Sequence, residues 1–388
     1  MGKPDNTRVM LVVGASGIVG RGALDYFHGL AGWRAIGLSR RRPDLAGVEH
    51  VSLDLQDASA CERVAGTLAE VTHVIYAALF EKPGLLEGWT EDDQMQTNLR
   101  MLQNLMVPLQ RTAKKLQHVS LLQGTKAYGA HVGPMSVPGK ERAPRVEHPN
   151  FYWLQEDWLK VERANASWCL TIWRPPLIVG HAFGAPMNVL AAIGIYGALT
   201  AASADAKQYG LGWPGGVCGP IDAVDVDLLA RAFGWAVAAE EPALPEGDQA
   251  MPQCLAAADQ TFNVTNGDVL VMTEIWRSVA ACFGLHQGEA TPQLLQQSLP
   301  RQSASWDQIV SEHSLAAPGL MDFVGDSLIY ADMFFNAGRA DPMPSPLLST
   351  IKLRQAGFVD CMDSEDMFVG WIKRLQTMQV LPPSILTD

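Results

Sequence analysis

The 388-residue chain predicts an α/β fold, a doubly wound parallel sheet with a smaller, mainly helical lobe capping it. Two observations carry this. Short apolar runs at 9–13, 34–38, 73–77, 118–122 and 169–173 alternate with helix-like segments, as expected of strands buried on both faces and joined by right-handed crossovers. The second observation is Gly14-Ala-Ser-Gly17-Ile-Val-Gly20, placed between the first apolar run and an amphipathic segment. A strand, a glycine turn and a helix opening present backbone N–H groups and a positive helix end to a pyrophosphate. Glycine spacing alone is a weak signal in a chain with 35 glycines, so the flanking strand and helix give it its weight. Together these features specify a Rossmann-type sheet.

The remaining elements follow in order. A third short strand covers 49–51, and helical periodicity marks 59–68 and 92–115, the latter with Leu99, Leu102, Leu105 and Leu109 on one side. After Arg174-Pro-Pro-Leu-Ile-Val-Gly180 the pattern loosens, then recovers at 219–232; 261–265 reads as one more strand and 273–283 as a capped amphipathic helix. Residues 1–180 are therefore expected to form the cofactor-binding core, to which the chain returns around 216–235 and 261–266. Residues 181–388 are expected to be mostly substrate-capping lobe, with 240–253 a solvated connection. The uncharged segment 187–204 contains Asn188 and has only Lys207 as a nearby cation, which suits a helix packed in a soluble lobe better than a membrane span.

Composition excludes several classes. Hydrophobic residues make up 48% and charged residues 18%, a globular profile. The net charge of −12 argues against a nucleic-acid partner, which needs basic surface to neutralise phosphates. The expected partner is a small molecule. Cys61, Cys169, Cys218, Cys254, Cys282 and Cys361 lack Cys-x-x-Cys spacing, suggesting neither a zinc site nor a disulfide framework but reduced thiols. The nine histidines show no metal-ligand spacing, so no metal is expected, and no Gly-x-Ser-x-Gly elbow marks a hydrolase. The polar N-terminus runs straight into the first strand, so a cytoplasmic protein without a signal peptide is expected.

The end of the second strand selects the dinucleotide. An acidic residue there would hydrogen-bond the ribose hydroxyls and repel a 2′-phosphate, but the chain reads Ser39-Arg40-Arg41-Arg42. A hydroxyl followed by guanidinium groups suits a phosphate, so NADPH/NADP+ is the expected cofactor. Gly14, Ser16, Gly17, Ile18, Val19 and Gly20 form its expected phosphate cradle. Asp54 either accepts from the adenine amino group, with Leu55 beside the ring, or caps the helix beginning near Ala58. Ala77, Ala78 and Leu79 end the fourth strand with small residues where backbone approaches the cofactor. Gln123, Pro176 and Ile178 complete the expected cofactor-binding set.

Short-chain dehydrogenases usually place Tyr-x-x-x-Lys on one helix, where the ammonium lowers the tyrosine pKa. Here Tyr152 is followed four residues later by Glu156, and a lysine appears instead at Lys126, in the segment leaving the fifth strand. This combination resembles the progesterone 5β-reductase and iridoid synthase-like enone reductases, atypical extended short-chain dehydrogenases, of which the chain looks like a bacterial member. The resemblance covers most of the chain. It is carried by Gly14–Gly20, Ser39-Arg40-Arg41, Asn98-Leu-Arg-Met-Leu-Gln-Asn-Leu105, Gln123-Gly-Thr-Lys126, Asn150-Phe-Tyr-Trp-Leu-Gln-Glu-Asp157 and Arg174-Pro175.

The resemblance implies that Tyr152 and Lys126 are the catalytic pair, both also touching the cofactor. It implies NADPH-dependent reduction of the C=C bond of an α,β-unsaturated carbonyl, with Tyr152 stabilising the enolate. Trp153 replaces the family's second tyrosine and, with Phe80, is expected to border the substrate pocket. Trp213, Met321, Phe323, Met333, Phe334 and Phe335 suit an apolar enone or enal, and a homodimer is compatible with the family. The same residues also leave open a carbonyl reductase, a sugar-nucleotide epimerase or a non-catalytic NADP(H) sensor.

Overall fold

The computed structural model describes residues 8–238, 256–342 and 344–385. Six strands come in chain order from the first half: β1 (Arg8–Val13), β2 (Trp33–Ser39), β3 (Glu49–Ser52), β4 (His73–Tyr76), β5 (His118–Leu122) and β6 (Cys169–Arg174). β7 (Leu177–Val179) and β8 (Ala223–Asp225) leave the sheet to pair with each other, and β9 (Gln260–Asn263) returns to its far edge. The order is β3-β2-β1-β4-β5-β6-β9, parallel throughout. The strand order reverses between β1 and β4. That switch opens a crevice at the carboxyl ends of the strands, where ligands bind in open α/β sheets.

Helices cover both faces. On one side α2 (Ala58–Ala65), α3 (Asp92–Thr112) and α4 (Phe151–Arg163) bury Cys61, Leu102, Leu105, Leu109 and Leu159 against Leu11, Val74 and Leu121. On the other, α1 (Ile18–Gly29) and α7 (Val226–Val237) bury Leu24, Phe27, Leu229 and Phe233 against Met10, Val12 and Trp173. The return at 216–235 therefore adds a helix to the core, while β8 joins β7 rather than the main sheet.

The capping lobe is helical. α5 (Val189–Ala201) and the one-turn α6 (Ala206–Tyr209) precede α8 (Met272–Cys282), α9 (Leu295–Ser298), α10 (Ser303–His313), α11 (Leu320–Val324) and α12 (Ser327–Phe334); α13 (Ile351–Gln355) returns to pack Leu353 on the β9 side of the core, and α14 (Ser364–Thr377) closes the lobe. α5 is buried on every side from Val189 to Leu199, which is why its sequence is apolar all round. The Asn188 side chain accepts from Ala191 N–H at 3.2 Å to cap it. Among the described residues no helix is long and apolar enough to cross a membrane.

Two expectations change, and a third cannot be placed. α8 starts at Met272, and Val271 supplies no side-chain cap. Cys61, Cys218, Cys282 and Cys361 are free, but Cys169 is disulfide-bonded, a pairing that spacing along the chain does not reveal. The connection 240–253 lies outside the described residues.

Trp173 is fully buried where β6 meets the α7 face, and its indole N–H donates to Ser120 Oγ at 3.1 Å. Trp173→Ala is expected to lower unfolding free energy by about 3–5 kcal/mol, measured by urea denaturation, through cavity formation and the loss of this bond.

Candidate active site

A cavity of about 920 Å³ occupies the crevice between sheet and lobe. Every residue expected to bind cofactor lines it: the turn Gly14, Ser16, Gly17, Ile18, Val19 and Gly20; Ser39, Arg40 and Arg41; Asp54 and Leu55; Ala77, Ala78 and Leu79; and Gln123, Lys126, Tyr152, Pro176 and Ile178.

The glycine turn is shaped for close approach. Gly14 has φ +85°, and a Cβ there would meet the Ala77 backbone at 2.8 Å; its N–H donates to Leu38 C=O at 2.8 Å, tying the turn to the end of β2. Gly17 is the N-cap of α1 and provides no capping side chain, so first-turn amides are left for a ligand oxygen.

At the end of β2, Ser39 Oγ donates to Arg41 C=O at 2.6 Å and lies 3.0 Å from His50 Nε2. Arg41 donates to Phe183 C=O across the crevice at 3.2 Å. Asp44 ties the following loop to both halves, bonding Arg21 Nε and His181 Nε2 at 2.7 Å each. Burial alone would raise the Asp44 pKa; the His181 ring and the Arg21 guanidinium hold it below its ordinary value instead. The cap of α2 is Asp57, which accepts from Ala60 N–H, whereas Asp54 accepts from Gln56 N–H. That removes the capping alternative for Asp54.

The reactive end is assembled from separate segments. Lys126 sits in the 3₁₀ turn Thr125–Tyr128 after β5, and Tyr152 in the first turn of α4. Asn150 joins them: its Oδ1 accepts from Tyr152 N–H at 3.0 Å, capping α4, and its Nδ2 donates to Lys126 C=O at 3.0 Å. Gly124 keeps the space in front of the phenol clear, since a Cβ there would lie 3.3 Å from Tyr152 Oη.

Glu156, at the position of the usual lysine, is occupied elsewhere. It takes Lys160 and Arg145 at 2.6 and 2.8 Å on Oε1, and Gln123 and Arg174 at 2.8 and 3.5 Å on Oε2. Burial would raise its pKa, but hydrogen bonds from Lys160, Arg145 and Gln123 pull it down to about 2. Both amide atoms of Gln123 are engaged, since its Oε1 accepts from Arg174 Nε at 2.8 Å.

Burial pushes Lys126 down to about 8, with Glu81 opposing the fall. Its Nζ lies 3.6 Å from Glu81 Oε1 and 3.6 Å above the Trp89 ring. Burial drives the Tyr152 pKa up, and Glu81 and Tyr330 drive it further in the same direction. Tyr152 is therefore a neutral hydrogen-bond donor through the physiological range.

Phe80 lines the cavity as expected, pinned by Asn98, whose side chain bonds both Phe80 N–H and C=O. Trp153 does not line it: the indole packs between His148 and Arg145, away from the site. Phe151 and Tyr152, the first two residues of α4, both line the cavity, whereas Trp153 is held off it by its contacts with His148 and Arg145. Met333 and Phe334 line it; Trp213, Met321, Phe323 and Phe335 do not. Sequence reasoning missed Glu81, Trp89, His131 and Tyr330, all at the cavity wall. Glu81 and Trp89 both lie in the segment between β4 and α3, and only that placement pointed to them. Among the described residues no three His, Cys, Asp or Glu side chains group to hold a metal.

The fold is that of the extended short-chain dehydrogenases and epimerases. Residues 10–156 match the NAD dependent epimerase/dehydratase family. In overall structure the chain is similar to UDP-glucose 4-epimerase from Thermotoga maritima (TM-score 0.61, 14% identity, 95% of this chain and 99% of that one). It is equally similar to UDP-glucose 4-epimerase from Bifidobacterium longum (TM-score 0.61, 15% identity, 95% and 98%), whose structure holds NAD+ and UDP.

The relatives in sequence are more particular. The chain is 27% identical to the (S)-8-oxocitronellyl enol synthase of Nepeta cataria over 98% of this chain and 93% of that protein. Identity is 28% to the Antirrhinum majus enzyme of the same name, over 98% and 94%. It is 27% to the 3-oxo-Delta(4,5)-steroid 5-beta-reductase of Arabidopsis thaliana, over 96% and 93%. The resemblance carried by the motifs is thus borne out over the full length.

Asn150→Ala is expected to lose about 1–2 kcal/mol of stability, from the cap and the bond to Lys126. Asn150→Asp should keep the cap but lose the donor to Lys126 C=O, recovering most of the stability in urea denaturation.

Proposed function

We propose that the protein is an NADPH-dependent reductase of the C=C bond of α,β-unsaturated carbonyl compounds. One observation carries the proposal: Lys126 and Tyr152 line one cavity from different segments, continuous with the glycine turn, while the usual lysine position holds a fully engaged Glu156. Enzymes named for 3-oxo-Delta(4,5)-steroid 5-beta-reduction and for 8-oxocitronellyl enol formation match nearly the whole chain, which supports the same chemistry.

When bound, the reduced nicotinamide supplies a hydride to the substrate β-carbon. The protein's own part is to bind, orient and stabilise. Gly14 to Gly20 hold the pyrophosphate, and Ser39, Arg40 and Arg41 fit the 2′-phosphate. Arg41 is already braced against the Phe183 carbonyl. As the enolate forms, charge grows on the carbonyl oxygen, and a neutral phenol pointed at it gives a hydrogen bond that strengthens with that charge. Tyr152 fits the role because burial keeps it protonated. Lys126, in the wall beside it, contributes a positive field and orientation, and water protonates the α-carbon afterwards. Phe80, Met333, Phe334 and Tyr330 form an apolar wall suited to an apolar enone or enal.

Tyr152→Phe is expected to lower kcat for NADPH-dependent enone reduction on the order of a hundredfold or more with little change in NADPH affinity, measured by NADPH consumption and product analysis. An undiminished rate would remove Tyr152 from the mechanism. Arg41→Ala is expected to raise the KM for NADPH roughly tenfold, the worth of a charge-assisted bond, and to leave the KM for NADH unchanged in steady-state kinetics.

A further inference from the structure

Glu81 is a buried carboxylate whose presence in this cavity the enone chemistry does not require. Its side chain is 5% exposed and that of Lys126 12%. Gln94 Nε2 donates to its Oε2 at 2.7 Å, and Gln94 is itself fixed because its Oε1 accepts from Lys82 N–H at 2.9 Å. The carboxylate is therefore aimed. Its other oxygen has no hydrogen-bond partner and lies 3.6 Å from Lys126 Nζ, an ion-pair distance beyond hydrogen bonding. The Trp89 ring also lies against the ammonium, 3.6 Å from Nζ to centroid.

Resting on the enone-reductase reading, we propose that Glu81 is a positioning residue. Its carboxylate holds the Lys126 ammonium charged and seated on Trp89.

The physical argument weighs burial against charge. A lysine this enclosed favours its neutral form unless an anion stands nearby. Each charged or titratable group around the pair can be named. Lys126 faces Glu81 and His131; burial, with help from His148 and Lys126, holds His131 down to about 4, so that ring is neutral and supplies no counter-charge. Tyr152 faces Glu81, Tyr330 and Arg174, and only Arg174 favours its ionisation. Burial raises the Glu81 pKa above its ordinary value, with Lys126, Gln94 and Trp89 opposing the rise, and among the described residues Glu81 is the one carboxylate paired with the Lys126 ammonium. The Tyr-x-x-x-Lys arrangement uses an unneutralised ammonium to lower a phenol pKa. Here the ammonium is paired, which suits a phenol that donates to an enolate oxygen rather than one that ionises.

The sign of the test follows. Glu81→Gln removes the anion and leaves the burial, so Lys126 should lose its proton at lower pH. Trace labelling of the full-length protein with acetic anhydride across a pH series, read at Lys126 by mass spectrometry, gives the midpoint directly. The midpoint is expected to fall by at least about one pH unit in Glu81→Gln, tenfold in the protonation equilibrium, and by less in Glu81→Asp, which keeps a retracted carboxylate. The alkaline limb of kcat/KM for enone reduction should fall in the same order. An unchanged or raised midpoint in Glu81→Gln overturns the proposal, and if that variant does not fold, an unmoved midpoint in Glu81→Asp does so. If the midpoint falls but the wild type reduces no enone with NADPH, the assignment of Glu81 stands and the enone reading fails.

Discussion

The two hydrogen bonds of Asn150 hold the Lys126 and Tyr152 segments together. One amide group starts α4 at Tyr152 and at the same time grips the main chain at Lys126. In a Tyr-x-x-x-Lys enzyme the two side chains are neighbours on one helix, so their geometry follows from helix pitch. Here they belong to different segments, and only tertiary bonds fix their relation. Each bond is worth about 1 kcal/mol in stability. Their larger effect is on position, because a reacting group misplaced by about an ångström loses far more rate than the bond is worth in folding.

Charge is distributed around this clamp in an unusual way for the fold. The position four residues after Tyr152 carries Glu156, which Arg145, Lys160 and Arg174 neutralise and to which Gln123 donates a hydrogen bond. The lysine arrives instead from the end of β5 and meets Glu81, which follows β4. Two carboxylates therefore flank the tyrosine segment, one fully hydrogen-bonded and one with a free oxygen beside the ammonium. Tyr152 is left protonated between them.

The sheet was legible because its signals are local. Continuous apolar runs, a glycine turn between strand and helix, and Ser39-Arg40-Arg41 at the end of β2 all lie within a few residues of what they specify, and each lines the cavity or builds the strand expected. The pairing of Lys126 with Tyr152 at one cavity was legible only through motif resemblance, since no periodicity brings residues 126 and 152 together. What stayed hidden is tertiary: Asp44 spanning Arg21 and His181, Gln94 aiming Glu81, and Tyr330 reaching the cavity from α12. Trp153 was misplaced because His148 and Arg145 hold its indole, contacts that helix periodicity does not show. The aromatic residues of the lobe divided the same way, Phe334 at the cavity and Trp213 and Phe335 in the core.

The central claim is that hydride goes to a conjugated carbon while Tyr152 holds the carbonyl oxygen. Turnover of a small enone with NADPH carrying deuterium at the transferable C4 position, followed by NMR of the product, locates the transferred atom. Deuterium at the β-carbon of a saturated carbonyl product is the expected result. Deuterium on a carbinol carbon, with the C=C bond intact, would contradict the account.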